Sequence, residues 1–199
     1  YDLFGNAVIK ILKRYKNWTA YVVGDEPRDK LYFKHERLRI FGFKEHKEVI
    51  NIYKKTSIAV VCSRWDEPFG RTSLEAAANG RAIISTDVPG CREIAIDKHN
   101  AILVPRDDIK ILSEAILFLA SNHNIRKNYG LNSRKIVEKD MSLDKVIDKC
   151  LLHIRCWEQS SISMNCSSPP VFIRIICEYD EISLFKFKFS LFLWHKIII

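Results

Sequence analysis

Two glutamates, Glu67 and Glu75, stand eight residues apart in the stretch S-R-W-D-E-P-F-G-R-T-S-L-E-A-A-A-N, which runs from Ser63 to Asn79. Pro68 lacks an amide hydrogen and Gly70 permits backbone angles that other residues avoid, so Glu67 is expected in a loop. Leu74, Glu75 and the three alanines that follow favour helix. The run before them, Ser57–Cys62, is apolar and reads as a strand. A strand, a tight turn and a helix start bring several free backbone amides to one point at the positive end of the helix dipole, and such a point attracts an anion, typically a phosphate. Glu67 and Glu75 then flank that anion, one from the loop and one from within the helix. Simpler readings exist for each group. T-S-L-E, from Thr72 to Glu75, is also a capping box that needs no ligand. Arg71 either adds a fixed positive charge or is a solvated arginine, and Glu67 unaided is an ordinary loop carboxylate.

The elements that must hold this stretch follow from periodicity. Apolar runs recur at Thr19–Val23, Leu38–Phe41, Ile58–Cys62, Ala82–Ser85 and Ala101–Val104, with helical patterns in several gaps. Continuous rather than alternating apolar strands imply burial on both faces, which is a parallel sheet covered by helices. The fold class is therefore α/β, a doubly wound Rossmann-like parallel sheet, whose ligands bind beyond the carboxyl ends of the strands. Glu67–Thr72 and Asp87–Cys91 both follow strands, so both loops should open on that edge. Tyr1–Trp18 reads as a helix with Phe4, Val8, Ile11, Leu12 and Tyr15 on one face, and His46–Lys55 as one with Val49, Ile52 and Tyr53 inward. Three helices follow the sheet: Asp107–Ser121, burying Ile109, Leu112, Ile116 and Leu119; a polar, surface one at His123–Lys139; and Ser142–Trp157 with a long inward stripe.

With E-P-F-G between the two glutamates, and T-D-V-P-G-C-R-E-I from Thr86 to Ile94 after the next strand, the chain resembles the retaining glycosyltransferases of family 4, which have the two-domain GT-B fold. The wording F-G-R-T-S-L-E-A is most similar to bacterial lipopolysaccharide and capsule transferases, and the likeness runs from about Thr19 to Arg155. The resemblance implies the C-terminal, nucleotide-sugar-binding half of a hexosyltransferase that moves a hexose from a UDP- or GDP-hexose to a glycan or glycolipid acceptor. It places Glu67 near the donor sugar as the catalytic carboxylate and Glu75 on the ribose hydroxyls. The amides of Phe69, Gly70, Arg71 and Thr72 would then contact sugar and phosphate. Gly24 and Gly42 also resemble family positions, the second approaching the base, although each glycine is equally read as a simple turn. In the family an Arg and a Lys in a glycine-rich loop also grip the diphosphate. Tyr1 begins after that loop, so the chain reads as N-terminally truncated, lacking the acceptor domain and inactive alone. A non-catalytic nucleotide-sugar-binding module is the alternative.

Composition bounds the rest. The 199 residues are 47% hydrophobic and 28% charged, a globular balance, with a net charge of +8 carried by residues 1–157. A basic body suits a nucleotide diphosphate, an anionic membrane face touched peripherally, or nucleic acid. No helix-turn-helix, RRM or zinc pattern supports the last, so nucleic acid is not expected. The six cysteines show no metal spacing and the histidines are scattered, so neither a metal nor a cofactor is expected. No charged-then-apolar leader is seen, and the thiols read as reduced in a cytoplasmic protein. Residues 1–157 form the expected donor domain, and 158–199 a tail whose Phe185–Phe189 alternation reads as a strand, an interfacial anchor or an aggregation-prone segment. An uninformative extension is favoured over a functional one there.

Overall fold

The computed structural model describes residues 2–24, 33–142, 144, 145, 147, 151 and 196–198. The chain divides into two compact units, Tyr1–Lys139 with Leu193–Ile199, and Asp140–Phe192; the architecture below is that of the first. Its elements in order are α1 (Asp2–Arg14), β1 (Ala20–Val23), β2 (Leu38–Ile40), α2 (His46–Lys54), β3 (Ile58–Val61), α3 (Arg71–Ala78), β4 (Ala82–Thr86), α4 (Pro89–Arg92), β5 (Ala101–Val104), α5 (Ile109–Ser121), α6 (His123–Asp140) and β6 (Lys196–Ile198).

All of β3 and β4 is buried, as their unbroken apolar composition requires of strands covered on both faces. Strands β1 and β2 pair in parallel, as do β3 with β4 and β4 with β5. One face is covered by α1 and α5: Phe4, Val8, Ile11 and Leu12 meet Leu112, Ile116 and Leu119 over Ile58, Val60, Ala82 and Ile84. The alternate strand residues Ala59, Val61 and Ile83 point the other way, towards the face covered by α2 and α3, where Val49, Tyr53, Ala76 and Ala77 are buried. This doubly wound α/β sheet is the expected class, and the helices carry their expected inward faces. Ile52 and Ile109 are only half-buried, lying at the margins of their stripes, and Tyr15, expected on the inward face of the first helix, is half-buried just beyond its end at Arg14. Helix α6 buries only Gly130 and Ser133, which fits its polar sequence. Most of the stretch 142–157 and of the tail lies outside the described residues.

The sequence did not announce β6. The sheet order is β2-β1-β6-β3-β4-β5, and β6 is antiparallel to both neighbours. Ile197 lies opposite Val22 on one side and Val60 on the other, so this short strand joins the two parallel halves. No helix among the described residues is long and apolar enough to cross a membrane.

Candidate functional site

Strand β3 delivers the chain to the carboxyl edge of the sheet, where the loop 63–70 carries Glu67 into the start of α3. Strand β4 delivers the second loop beside it, closed by the short helix α4. A small apolar cluster of Val61, Val88 and Cys91 seats both loops on the sheet. Two backbone hydrogen bonds then join them: Gly90 N–H donates to Glu67 O at 3.0 Å, and Gly70 N–H donates to Gly90 O at 2.9 Å. The approach leaves no room for a side chain, since a Cβ at Gly90 would stand 2.1 Å from Glu67 O and 2.8 Å from Phe69 N. At Gly70 the corresponding atom would lie 3.0 Å from Gly90 O. Ion pairs tie the first loop to residues 106–107 as well: Arg64 Nε meets Asp107 Oδ1 at 2.7 Å, and Arg106 pairs with Asp66.

Helix α3 begins directly after this junction. Its N-cap is Gly70, which offers no side-chain cap, so Thr72 lies inside the helix and the T-S-L-E capping box does not form. The capping box of this fold belongs instead to Glu45 and Glu48 at α2. Leu74 N–H reaches Gly70 O and Arg71 N–H reaches Phe69 O, whereas the amides of Thr72 and Ser73 make no hydrogen bond among the described residues. They are orphan donors at the positive end of a helix. Phe69 and Arg71 are exposed beside them, and Arg71 forms no ion pair among the described residues.

Only 3% of the Glu67 surface is accessible, although Arg64, Trp65, Asp66, Pro68 and Phe69 around it are exposed. Burial pushes its carboxyl pKa up, and the facing Ser63 hydroxyl and Cys91 thiol pull it part of the way back. Ser63 Oγ is close enough to favour the charged form, yet neither it nor Ser73 Oγ has a partner at hydrogen-bond geometry, and both are buried. Burial likewise raises the Cys91 thiol, with Ser85, Glu67 and Ser73 grouped around it. Glu75 is half-buried on α3, where its charge adds to the burial that pushes the neighbouring Tyr53 phenol far above its usual range. Tyr53 itself is wholly buried, with its hydroxyl 3.4 Å from Thr72 O.

The structure thus brings Glu67, Phe69, Gly70, Arg71 and Thr72 to one edge, with Glu75 one turn further along α3. Gly24 and Gly42 are joined by a 2.9 Å hydrogen bond from Gly24 N to Gly42 O at the ends of β1 and β2. Among the described residues Arg92 forms no ion pair with its neighbour Glu93. It takes Asp87 in a bidentate pair, Nε to Oδ1 at 2.5 Å and Nη2 to Oδ2 at 2.9 Å, which holds the Asp87 carboxyl below the usual range. Sequence reasoning put the Asp87–Cys91 loop and the Gly70–Ser73 helix start on this edge, but did not single out the Gly90 contact, the Cys91 thiol, Ser63 or Tyr53. Only the P-G-C run after an apolar strand hinted at the Gly90 contact. No group of three or more His, Cys, Asp or Glu residues that could hold a metal occurs among the described residues.

The family described as glycosyl transferases group 1 matches residues 1–136. The chain belongs to that family. A solved C-terminal domain of a group 1 glycosyltransferase, LpcC of Francisella tularensis, is similar with a TM-score of 0.64 and 28% identity, covering 71% of this chain and 78% of that one. This group 1 domain is thus one half of a GT-B fold. A glycosyltransferase of Methanocaldococcus jannaschii, itself uncharacterised, is 33% identical over 118 residues, covering 59% of this chain and 32% of the relative. The lipopolysaccharide core biosynthesis mannosyltransferase LpsB of Rhizobium meliloti is 29% identical over 126 residues, covering 57% and 36%. The chain therefore spans about a third of the length of these two curated relatives. The fold is shared with Anabaena HepE, solved with UDP-glucose, at a TM-score of 0.66 and 16% identity, covering 78% and 44%.

Proposed function

We propose that this group 1 domain is the donor-binding half of a retaining hexosyltransferase, holding a nucleotide diphosphate sugar, UDP- or GDP-linked, for transfer to a glycan or glycolipid. The observation that carries this reading is the pair of unpaired amides, Thr72 and Ser73, at the start of α3, preceded by buried Glu67 and followed by Glu75. Each part answers a need of the reaction. The leaving diphosphate gains charge, and orphan amides with the α3 dipole and exposed Arg71 neutralise it without reorganising. Glu67, held by the Gly90 contact, stands at the sugar, where its carboxylate stabilises the developing oxocarbenium and fixes a hydroxyl. Glu75 accepts the ribose hydroxyls and so sets the distance between sugar and nucleoside. The acceptor belongs to another domain of a longer protein, and transfer depends on it. The fold neighbour solved with UDP-glucose supports a nucleotide-sugar donor, and the relative named a mannosyltransferase supports a hexose.

Calorimetric titration of the chain with UDP, GDP, UDP-glucose and GDP-mannose tests this. One of them is expected to bind, and Glu75→Ala to weaken it by about tenfold or more, the loss of paired hydrogen bonds to hydroxyls, with the circular dichroism unchanged. Unchanged affinity in that variant would remove the assignment. Binding without transfer, even when an acceptor domain is supplied, would leave a non-catalytic binding module.

A further inference from the structure

The opposite edge of the sheet carries its own feature. Ser57, before β3, and residues 79–81, before β4, mark the amino ends of the strands, away from the two loops described above. There a cavity of about 390 Å³ opens between the turn 79–81 and the first turns of α6, lined by Arg81, His123, Arg126, Lys127 and Arg134. A close backbone approach builds it: a Cβ at Gly130 would stand 2.4 Å from Gly80 O, so α6 is pressed on the turn and its cations share one hollow with Arg81.

Basic residues at this edge have an ordinary use, which is to close helix C-termini. Arg81 donates through Nε to Asn79 O at 2.7 Å and through Nη1 to Thr56 O. Arg126 donates to Leu119 O at 2.5 Å and Ala120 O at 3.1 Å, and Arg134 to Ala78 O. Capping does not account for Lys127. It is exposed in the first turns of α6, which contain no acidic residue, and there the helix dipole disfavours a cation. His123 and Arg126 share that position. Among the described residues the ion pairs give these cations one carboxylate, Glu138, held by Arg134 at 2.6 Å. Burial also lowers the pKa of Arg81 and Arg126, so their surroundings disfavour charge that no carboxylate there offsets.

We propose that this cavity is a second anion site that binds a phosphate group, independent of the donor site. The Lys127 ammonium, the guanidinium nitrogens of Arg81 and Arg134 that no carbonyl or carboxylate among the described residues occupies, and the positive end of the α6 dipole match the several acceptor oxygens of a phosphate better than the two of a carboxylate. The volume admits a phosphate with an organic group attached. Lys54 and Lys55, exposed just before Ser57, extend the positive field outward. The phosphate is carried by an anionic lipid or by a free phosphorylated molecule, and the test separates the two sources.

The full chain is titrated with glycerol phosphate, followed by amide shifts in α6, and is sedimented with vesicles of phosphatidylcholine alone or mixed with phosphatidylglycerol. Lys127→Glu is compared with Lys135→Glu, an equal charge change at an exposed position of the same helix outside the cavity. Circular dichroism and the thermal midpoint confirm that both variants fold. At least one probe is expected to bind, with Lys127→Glu weakening it about tenfold and Lys135→Glu by less than about twofold. Binding to the mixed vesicles alone identifies a lipid source, and binding of glycerol phosphate a free one. Absence of binding to either probe, or equal losses in the two variants, would overturn the proposal.

Discussion

The amide of Gly90 donates to the carbonyl of Glu67 at 3.0 Å, and no Cβ fits at Gly90 without striking that oxygen. The buried carboxylate is therefore positioned by the backbone of a loop twenty-three residues downstream. Gly90→Ala must push the two loops apart. We expect a loss of about 1–3 kcal/mol of stability in urea unfolding, together with weakened nucleotide-sugar binding. A variant as stable as the parent, with unchanged binding, would mean that the loops are not joined in this way.

Glu67 should also leave a signature in the pH dependence of stability. Its carboxyl holds a proton in the folded chain at pH values where the unfolded chain has released it. Folding then contributes least once the pH has risen from the ordinary carboxylate range through the raised folded value. Glu67→Gln removes the titrating group, so the variant should gain stability over the parent as pH rises through that window and differ little below it. Unfolding free energies measured across mildly acidic to neutral pH decide this. Parallel curves for the two proteins would contradict the burial of the carboxyl.

Tyr53 braces α3 from beneath by packing rather than by its hydroxyl. Its contact with Thr72 O is long at 3.4 Å, while its ring is fully buried. Tyr53→Phe should change the unfolding free energy by less than about 1 kcal/mol, and Tyr53→Ala should cost about 3–5 kcal/mol, as for other buried aromatic rings. A large loss in Tyr53→Phe would show that the hydroxyl matters more than its geometry indicates.

Much of this was readable in advance, for a physical reason. Strands such as Ile83–Ser85 must be apolar on both faces when helices cover both, so burial leaves an unbroken run in the sequence. Strand–helix alternation then fixes the order. What could not be read is decided by contacts between distant segments. T-S-L-E carries a capping-box pattern, but the N-cap is Gly70, two residues before Thr72, where its amide meets Gly90 O. Arg92 is adjacent to Glu93, yet the α4 turn aims its fork at Asp87. A three-residue strand has too little pattern to announce where it pairs.

That strand provides its own check. Ile197 sits opposite both Val22 and Val60, so a proline there removes a ladder donor between two halves of the sheet. Ile197→Pro should cost about 1–3 kcal/mol in thermal or urea unfolding. A fully stable variant would place the middle of the sheet in other hands.

In the proposed reading, a donor diphosphate is held by the orphan amides at the start of α3. Amide chemical shifts of Thr72 and Ser73, followed while UDP-glucose or GDP-mannose is added, test it most directly. Saturable shifts at both residues, absent in Glu75→Ala at the same concentrations, are the predicted result. Saturable shifts elsewhere in the domain, with Thr72 and Ser73 unmoved, would contradict it.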